Sequence, residues 1–166
     1  MLMSFEIEKI NHQDKKKFYQ LLTKQVEGLL SIETDFIANA ANLSSLLYHN
    51  LPDINWVGFY LLKNDELRLG PFHGQIACTR IAVGQGVCGT ALSQNKTIVV
   101  DDVNEFAGHI ACDSASASEI VMPLMLEKSV IAVLDIDSPI TARFDETDTR
   151  GLQKIAQIFC KCTRKI

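Results

Sequence analysis

The chain has 166 residues, which is enough for one domain of ordinary size. Hydrophobic residues make up 47% and charged residues 22%, so disordered and fibrous classes are excluded. The formal net charge is −4 and the basic residues are scattered, which argues against a nucleic-acid partner. We therefore expect a single domain over residues 1–166.

The N-terminus lacks the signature of an exported protein. Its first ten residues, MLMSFEIEKI, have neither the basic start nor the long apolar stretch of a secretory signal. No run of about 18 apolar residues follows, so no membrane span is expected. We therefore expect a cytoplasmic protein whose five cysteines are thiols with chemical or packing roles, not a disulfide framework.

Two helices are predicted at the start of the chain. Apolar residues recur at steps of three and four across residues 11–30, which is typical of a helix with one apolar face. Thr34 is the expected N-cap of a second helix, which Asn50 and Pro52 end.

A β-hairpin should follow these helices. Residues 55–62 and 67–72 are short aromatic and β-branched runs on either side of a polar turn. Alternation along the first strand places Trp56, Gly58 and Tyr60 on one face. Trp56 and Tyr60 should therefore line the same surface.

The middle of the chain is irregular. A loop rich in glycine and small residues, 73–84, leads to a short helix at 87–94 and a strand at 97–100. Residues 101–118 show no clear period and form a longer loop than a compact domain usually contains without a function. We expect the active site there.

A second apolar hairpin, 120–126 and 129–137, precedes a closing helix that begins at Asp145 or Thr147 and continues through Phe159. The order of elements favours an α+β domain, with a mainly antiparallel sheet flanked by helices.

Three cysteines lie in or beside the irregular region. Cys88 begins the short helix, where the helix dipole lowers a thiol pKa, and Cys112 follows His109 by three residues. Cys88 and Cys112 are each candidates for an activated thiolate, and Cys78 lies in the preceding loop. The alternative for all three is that small apolar cysteines pack in the core.

The two remaining cysteines, Cys160 and Cys162, lie on the closing helix. Side chains two residues apart on a helix point in different directions, so this pair is not expected to form a disulfide. Cys162 extends the apolar stripe, and Cys160 should point outward.

Carboxylates form a second candidate group. Asp135 and Asp137 end an apolar strand, on the same face as Ile131 and Val133, and Glu119 begins the partner strand. One alternative is that these acids are solvated at the strand ends. If they are buried together, they raise one another's pKa, and one could act as a general acid or the group could bind a substrate ammonium.

Two further motifs have other interpretations. Residues 84–89, GQGVCG, match the dinucleotide-binding pattern, but the flanking elements are short and no βαβ units follow. A zinc site is the second alternative, and the argument against it is that its candidate ligands lack the tight C-x₂₋₄-C spacing of a structural zinc site. Its four ligands would be Cys78, Cys88, His109 and Cys112.

Five motifs occur in order along the chain: GPFHG, GVCGT, GHIACDSAS, SEIVMPL and LDIDSP. Together they resemble the free methionine-(R)-sulfoxide reductase family, a catalytic branch of the GAF domain fold. The resemblance runs from the NWVGFY strand to the start of the closing helix. It implies an antiparallel sheet flanked by helices, in agreement with the predicted order of elements.

The resemblance also implies a role for each candidate. Cys112 matches the catalytic cysteine, Cys78 the resolving cysteine and Cys88 a third cysteine of the redox relay. The residues that match the substrate pocket are the acids Glu119, Asp135 and Asp137 and the aromatics Trp56 and Tyr60.

The implied reaction reduces free L-methionine (R)-S-oxide through a sulfenic acid and an intramolecular disulfide that thioredoxin reduces. It needs no metal or organic cofactor. The rival hypothesis is a non-catalytic GAF module that senses oxidants or a small ligand. A homodimer through the N-terminal helices is compatible with their apolar stripes.

Overall fold

The computed structural model describes residues 9–10, 14–108 and 115–164. Its elements are α1 (Lys15–Leu30), α2 (Phe36–Asn50), β1 (Trp56–Lys63), β2 (Glu66–Gly74), β3 (Arg80–Ala82), α3 (Gly86–Gln94), β4 (Ile98–Val100), β5 (Ser118–Leu126), β6 (Ser129–Ser138) and α4 (Glu146–Cys162). No helix among these residues is long and apolar enough to cross a bilayer.

The strands form one six-stranded sheet in the order β3-β2-β1-β6-β5-β4. Every strand pairing within the described ranges is antiparallel. The predicted α+β class is therefore confirmed. The glycine motif at residues 84–89 lies between β3 and α3 without the parallel strands that a dinucleotide fold requires.

Two hydrophobic cores lie on opposite faces of the sheet. Helices α1, α2 and α4 cover one face, which we call the first core, and α3 covers the other, the second core. Val57 and Phe59 of β1 point into the first core, whereas Trp56 and Tyr60 point into the second. The predicted alternation along this strand is confirmed.

The structure corrects two predicted elements. The predicted loop 73–84 contains β3, which pairs with the start of β2 and places Ile81 opposite Leu67. Its three residues are too few to show a period. The N-cap of α2 is Asp35, not Thr34, because the Asp35 carboxylate accepts a hydrogen bond from the Ala38 amide at 2.8 Å.

Strand β6 departs from strict alternation. The pairing with β5 shifts register between Leu124 and Met125, which face Ala132 and Val130 respectively. Ile131 is the extra residue of this bulge and packs against the first core. The expectation that Ile131 shares a face with Asp135 is therefore wrong.

Helices α1 and α4 are joined by a buried polar contact beside a close approach. The Tyr19 hydroxyl donates to the Asp148 carboxylate at 2.8 Å, and Lys15 Nζ lies 2.5 Å from the other Asp148 oxygen. Gly151, one turn along α4, lies against the Tyr19 ring, which a Cβ at that position would overlap. Glycine is therefore required where α4 packs against the Tyr19 ring of α1.

We expect Gly151→Ala to lower the free energy of unfolding by about 1–3 kcal/mol, because the overlap with Tyr19 outweighs the gain in helix propensity. Gly28→Ala on α1 is the matched control, since nothing lies within 4 Å of the added Cβ. It should be neutral or more stable by up to about 1 kcal/mol. Urea unfolding of both variants checks the prediction, and equal stabilities would contradict it.

Candidate active site

The strand register brings the three predicted acids together. Glu119 on β5 lies opposite Asp137 on β6, and Asp137 lies opposite Trp56 on β1. Asp135 follows two residues away on β6, so its side chain lies on the same face as Asp137. Opposed side chains in an antiparallel pair have Cβ atoms about 5 Å apart. The acids therefore meet on the face that α3 covers.

Two of these acids are buried. Glu119 and Asp135 are each 6% exposed, whereas Asp137 is half-buried. The first turn of α3 places Cys88, 3% exposed, with Sγ 4.0 Å from Glu119 Oε1. One ligand atom from each of Cys88, Glu119 and Asp135 lies within 4.8 Å of the other two. We call these three residues the thiol–carboxyl cluster.

Burial changes the acidity of both carboxyls. Burial raises the pKa of Asp135 to about 6. Hydrogen bonds from Cys88 and Glu119 act in the opposite direction, because they stabilise the ionised form of Asp135. Burial and the negative charges of Asp135 and Asp137 raise the pKa of Glu119 well above its usual range. Burial and the neighbouring charges therefore favour the protonated form of Glu119, and Asp135 is the carboxyl whose charge the surrounding hydrogen bonds stabilise.

The prediction that the helix dipole activates Cys88 is wrong. Burial, followed by the charges of Asp135 and Glu119, raises the pKa of this thiol well above its usual range. A helix N-terminus contributes only about 0.3–1 kcal/mol in the opposite direction. In this arrangement Cys88 is a neutral thiol that donates a hydrogen bond to the carboxyls.

Trp56 and Tyr60 line the surface beside the cluster, as the strand pattern predicts. Each is 2% exposed, and their rings stack with centroids 5.9 Å apart. The Trp56 Nε1 donates to the Gln75 carbonyl at 3.0 Å, which fixes the indole. Burial and the nearby Asp135 charge raise the pKa of Tyr60, so its hydroxyl is neutral.

Two glycines, Gly58 and Gly89, make this packing feasible. A Cβ on Gly58 would lie 2.5 Å from the Trp56 ring, so the indole can fold across β1 only at a glycine. A Cβ on Gly89 would overlap the Ala82 carbonyl, so this glycine lets α3 and Cys88 approach the sheet. A glycine inside a strand, as at Gly58, was the available signal.

The predicted functional loop is only partly described. Residues 109–114, which include His109 and Cys112, lie outside the described residues. On either side of them, the Val103 amide donates to the Ala117 carbonyl at 2.9 Å, directly before β5 and Glu119. The flanks of the loop are therefore held next to the cluster. The zinc hypothesis, which needs His109 and Cys112, stays a prediction.

The other cysteines differ in their surroundings. Cys78 is half-buried against the second core and takes part in a disulfide bond, whereas Cys88, Cys160 and Cys162 are free thiols. Cys160 and Cys162 are not bonded to each other, as expected. Both are half-buried against the first core, so the expectation that Cys160 points outward is wrong.

Comparison with known proteins places this fold and site in a family. The GAF domain family model matches residues 27–160. A relative from Escherichia coli (strain K12), named free methionine-R-sulfoxide reductase, is 53% identical over 87% of this chain and 88% of its own length. Protein YtsP from Bacillus subtilis (strain 168) is 54% identical over 92% of this chain and 94% of its own.

A solved structure agrees with these relatives. It is the X-ray structure of free methionine-R-sulfoxide reductase from Neisseria meningitidis in complex with its substrate, with a TM-score of 0.90 and 44% sequence identity. The match covers 95% of each chain. The chain therefore belongs to the GAF domain family and, within it, to the free methionine-R-sulfoxide reductase family.

Proposed function

We propose that this chain reduces free methionine (R)-sulfoxide to methionine, with its own thiols as electron donors. The observation that carries the proposal is the buried pair of Glu119 and Asp135 beside a thiol. Removing oxygen from a sulfoxide requires a nucleophile for sulfur and a proton for oxygen, and a carboxyl that stays protonated near neutral pH supplies the proton. Family membership supports the same reaction.

The thiol steps follow from the family resemblance. A thiolate at Cys112 attacks the sulfoxide sulfur while a carboxyl protonates the oxygen, and the products are methionine and a sulfenic acid on Cys112. The Cys78 thiol then attacks this sulfenic sulfur, which forms a disulfide and releases water. Two thiols are oxidised for each sulfoxide reduced. Thioredoxin would return the disulfide to two thiols, and Cys88 is the third thiol available to this relay.

The three acids differ in protonation, and we assign them different roles in the reaction. Glu119 keeps its proton and is our candidate for the general acid. Asp135, which ionises first, and Asp137, which lies nearer to the surface, would pair with the substrate ammonium. The stacked rings of Trp56 and Tyr60 would form the wall against the methionine side chain.

The substrate carboxylate has a candidate partner on the same side. Gln85, the N-cap of α3, makes no side-chain hydrogen bond to the first turn, and Cys88 in that turn contacts the carboxyl pair. Amides at a helix N-terminus bind anions. We infer that these amides bind the substrate carboxylate while the acids bind its ammonium.

The first test is a single turnover of fully reduced protein with racemic free methionine sulfoxide and no other reductant. About one methionine should form and about two thiols should be lost per chain, from one epimer only. Cys112→Ser should abolish the reaction. Cys78→Ser should retain one turnover but not recycling, unless Cys88 replaces Cys78.

Cys160→Ser is the matched control, because Cys160 lies on α4 against the other core. It should leave both counts unchanged. If no methionine forms and all thiols remain, the reductase proposal fails and the sensing GAF module becomes the better hypothesis.

A second prediction concerns pH and stability. The folded protein holds protons on Glu119 and Asp135 at pH values where the unfolded chain has lost them. Stability should therefore fall as pH rises from about 4 through the raised pKa values. Glu119→Gln should reduce the fall between pH 5 and pH 8 by about 1–3 kcal/mol while it slows turnover.

Urea unfolding at the two pH values measures this effect. Glu27→Gln, which changes an exposed carboxylate on α1, is the control and should keep the wild-type pH dependence. If Glu119→Gln lowers the free energy of unfolding at pH 8 relative to the wild type, burial of the Glu119 carboxyl does not destabilise the fold and the prediction is wrong.

A third prediction addresses the choice of free substrate. N-acetylation removes the substrate ammonium, so kcat/KM should fall at least about a hundredfold relative to free methionine sulfoxide. Asp137→Asn should lower kcat/KM for the free substrate. It should leave kcat/KM for the acetylated substrate nearly unchanged. The ratio of the two kcat/KM values would then decrease. An unchanged ratio would mean that the substrate ammonium does not bind at Asp137.

A further inference from the structure

We propose that the thiol–carboxyl cluster of Cys88, Glu119 and Asp135 is a binding site for zinc(II) that is open when substrate is absent, so that zinc inhibits the reduced protein. Direct metal binding is independent of the proposed function. The inhibition rests on it, since the same acids would hold the substrate ammonium.

The donor atoms are already close to a metal geometry. Tetrahedral zinc with one sulfur at about 2.3 Å and oxygens at about 2.0–2.2 Å separates its ligand atoms by about 3.5 Å. Cys88 Sγ lies 4.0 Å from Glu119 Oε1, and all three ligand atoms lie within 4.8 Å of one another. Shifts of about 1 Å or less would therefore complete three positions, and water would take the fourth.

A second observation points to a cation here. The Oδ1 atom of Asp135 is buried and has no hydrogen-bond partner within the described part of the chain. A buried carboxylate oxygen without a partner is unfavourable, and a bound cation would satisfy it. Asp137, half-buried and opposite Glu119, marks the side on which the cluster approaches the surface.

The donor set selects among metals. A thiolate favours zinc and cobalt over magnesium and calcium, which prefer oxygen ligands only. On binding, the Cys88 sulfur and a Glu119 oxygen each form a bond to the metal and both protons leave to solvent, so no atom changes oxidation state. The two positive charges of the ion would offset two of the three negative charges that the deprotonated ligands carry, and would so reduce the cost of burying them.

The test uses cobalt(II) as a spectroscopic substitute for zinc. Four serine substitutions, Cys78→Ser, Cys112→Ser, Cys160→Ser and Cys162→Ser, leave Cys88 as the last thiol. This variant should bind about one cobalt with a thiolate-to-metal absorption band, and zinc should displace the cobalt. Restoring Cys160 gives a matched control that should leave the band unchanged.

Further substitutions in this background locate the ligands. Cys88→Ser should remove the band, and Glu119→Gln and Asp135→Asn should each weaken cobalt binding roughly tenfold or more. These two amide variants keep the side-chain shape, and thermal unfolding confirms that they fold. A missing band in the protein with Cys88 alone, or a band that survives Cys88→Ser, would overturn the proposal.

Inhibition is measured on otherwise wild-type reduced protein by the single-turnover assay with zinc. Zinc should raise the concentration of methionine sulfoxide needed for half-maximal rate, and more substrate should restore the rate. An active protein that binds no cobalt contradicts the metal proposal alone. An inactive protein that binds cobalt through Cys88 contradicts the proposed function alone.

Discussion

The burial of two carboxyls side by side is the constraint on which the site depends. Moving an isolated ionised carboxylate out of water costs several kcal/mol, so a buried pair retains a proton or acquires a cationic partner. The pair of Glu119 and Asp135 retains a proton on Glu119, and the ionised Asp135 accepts hydrogen bonds from Glu119 and Cys88. In the proposed reaction, the proton that the sulfoxide oxygen needs is thus a consequence of where the strands place two acids.

The rest of the fold supports this unfavourable group. The first core joins three helices to one face of the sheet, and it contains most of the large buried side chains. The second core is smaller and contains Cys88 of the cluster, the Trp56–Tyr60 stack and the apolar residues of α3. A protein that is only marginally stable can hold buried charge on one face because apolar burial on the other face compensates.

Periodicity predicted much of this arrangement. The faces of β1, the antiparallel sheet and the shared side of Asp135 and Asp137 follow from alternation within single strands. The bulge at Ile131 and the strand at Ile81 do not, because each depends on a pairing with a strand distant in sequence. The cap at Asp35 was missed by one residue, since Thr34 and Asp35 are both good N-caps.

The acidity of the site was harder to predict than its location. The sequence places Cys88 at a helix N-terminus, which alone lowers a thiol pKa. Its neighbours come from β5 and β6, more than thirty residues along the chain, and their charges together with burial reverse the sign. The role of Gly58 was also hard to predict from the local sequence, because it depends on contacts with the Trp56 ring and with Phe72 of the next strand. Local pattern thus predicts which groups meet, and tertiary burial decides their protonation.

One property of the cluster connects its proposed ligands. A proton, a substrate ammonium and a divalent cation all relieve the same buried negative charge, so each excludes the others to the extent that it neutralises Asp135 and Glu119. Because burial favours the protonated form of Glu119, the pair with Glu119 protonated carries the single negative charge of Asp135. That charge matches one ammonium, whereas a dication must also displace the Glu119 and Cys88 protons. The burial that would make Glu119 a proton donor therefore favours an amino acid, which brings one ammonium to the acids, over a metal ion whenever substrate is abundant.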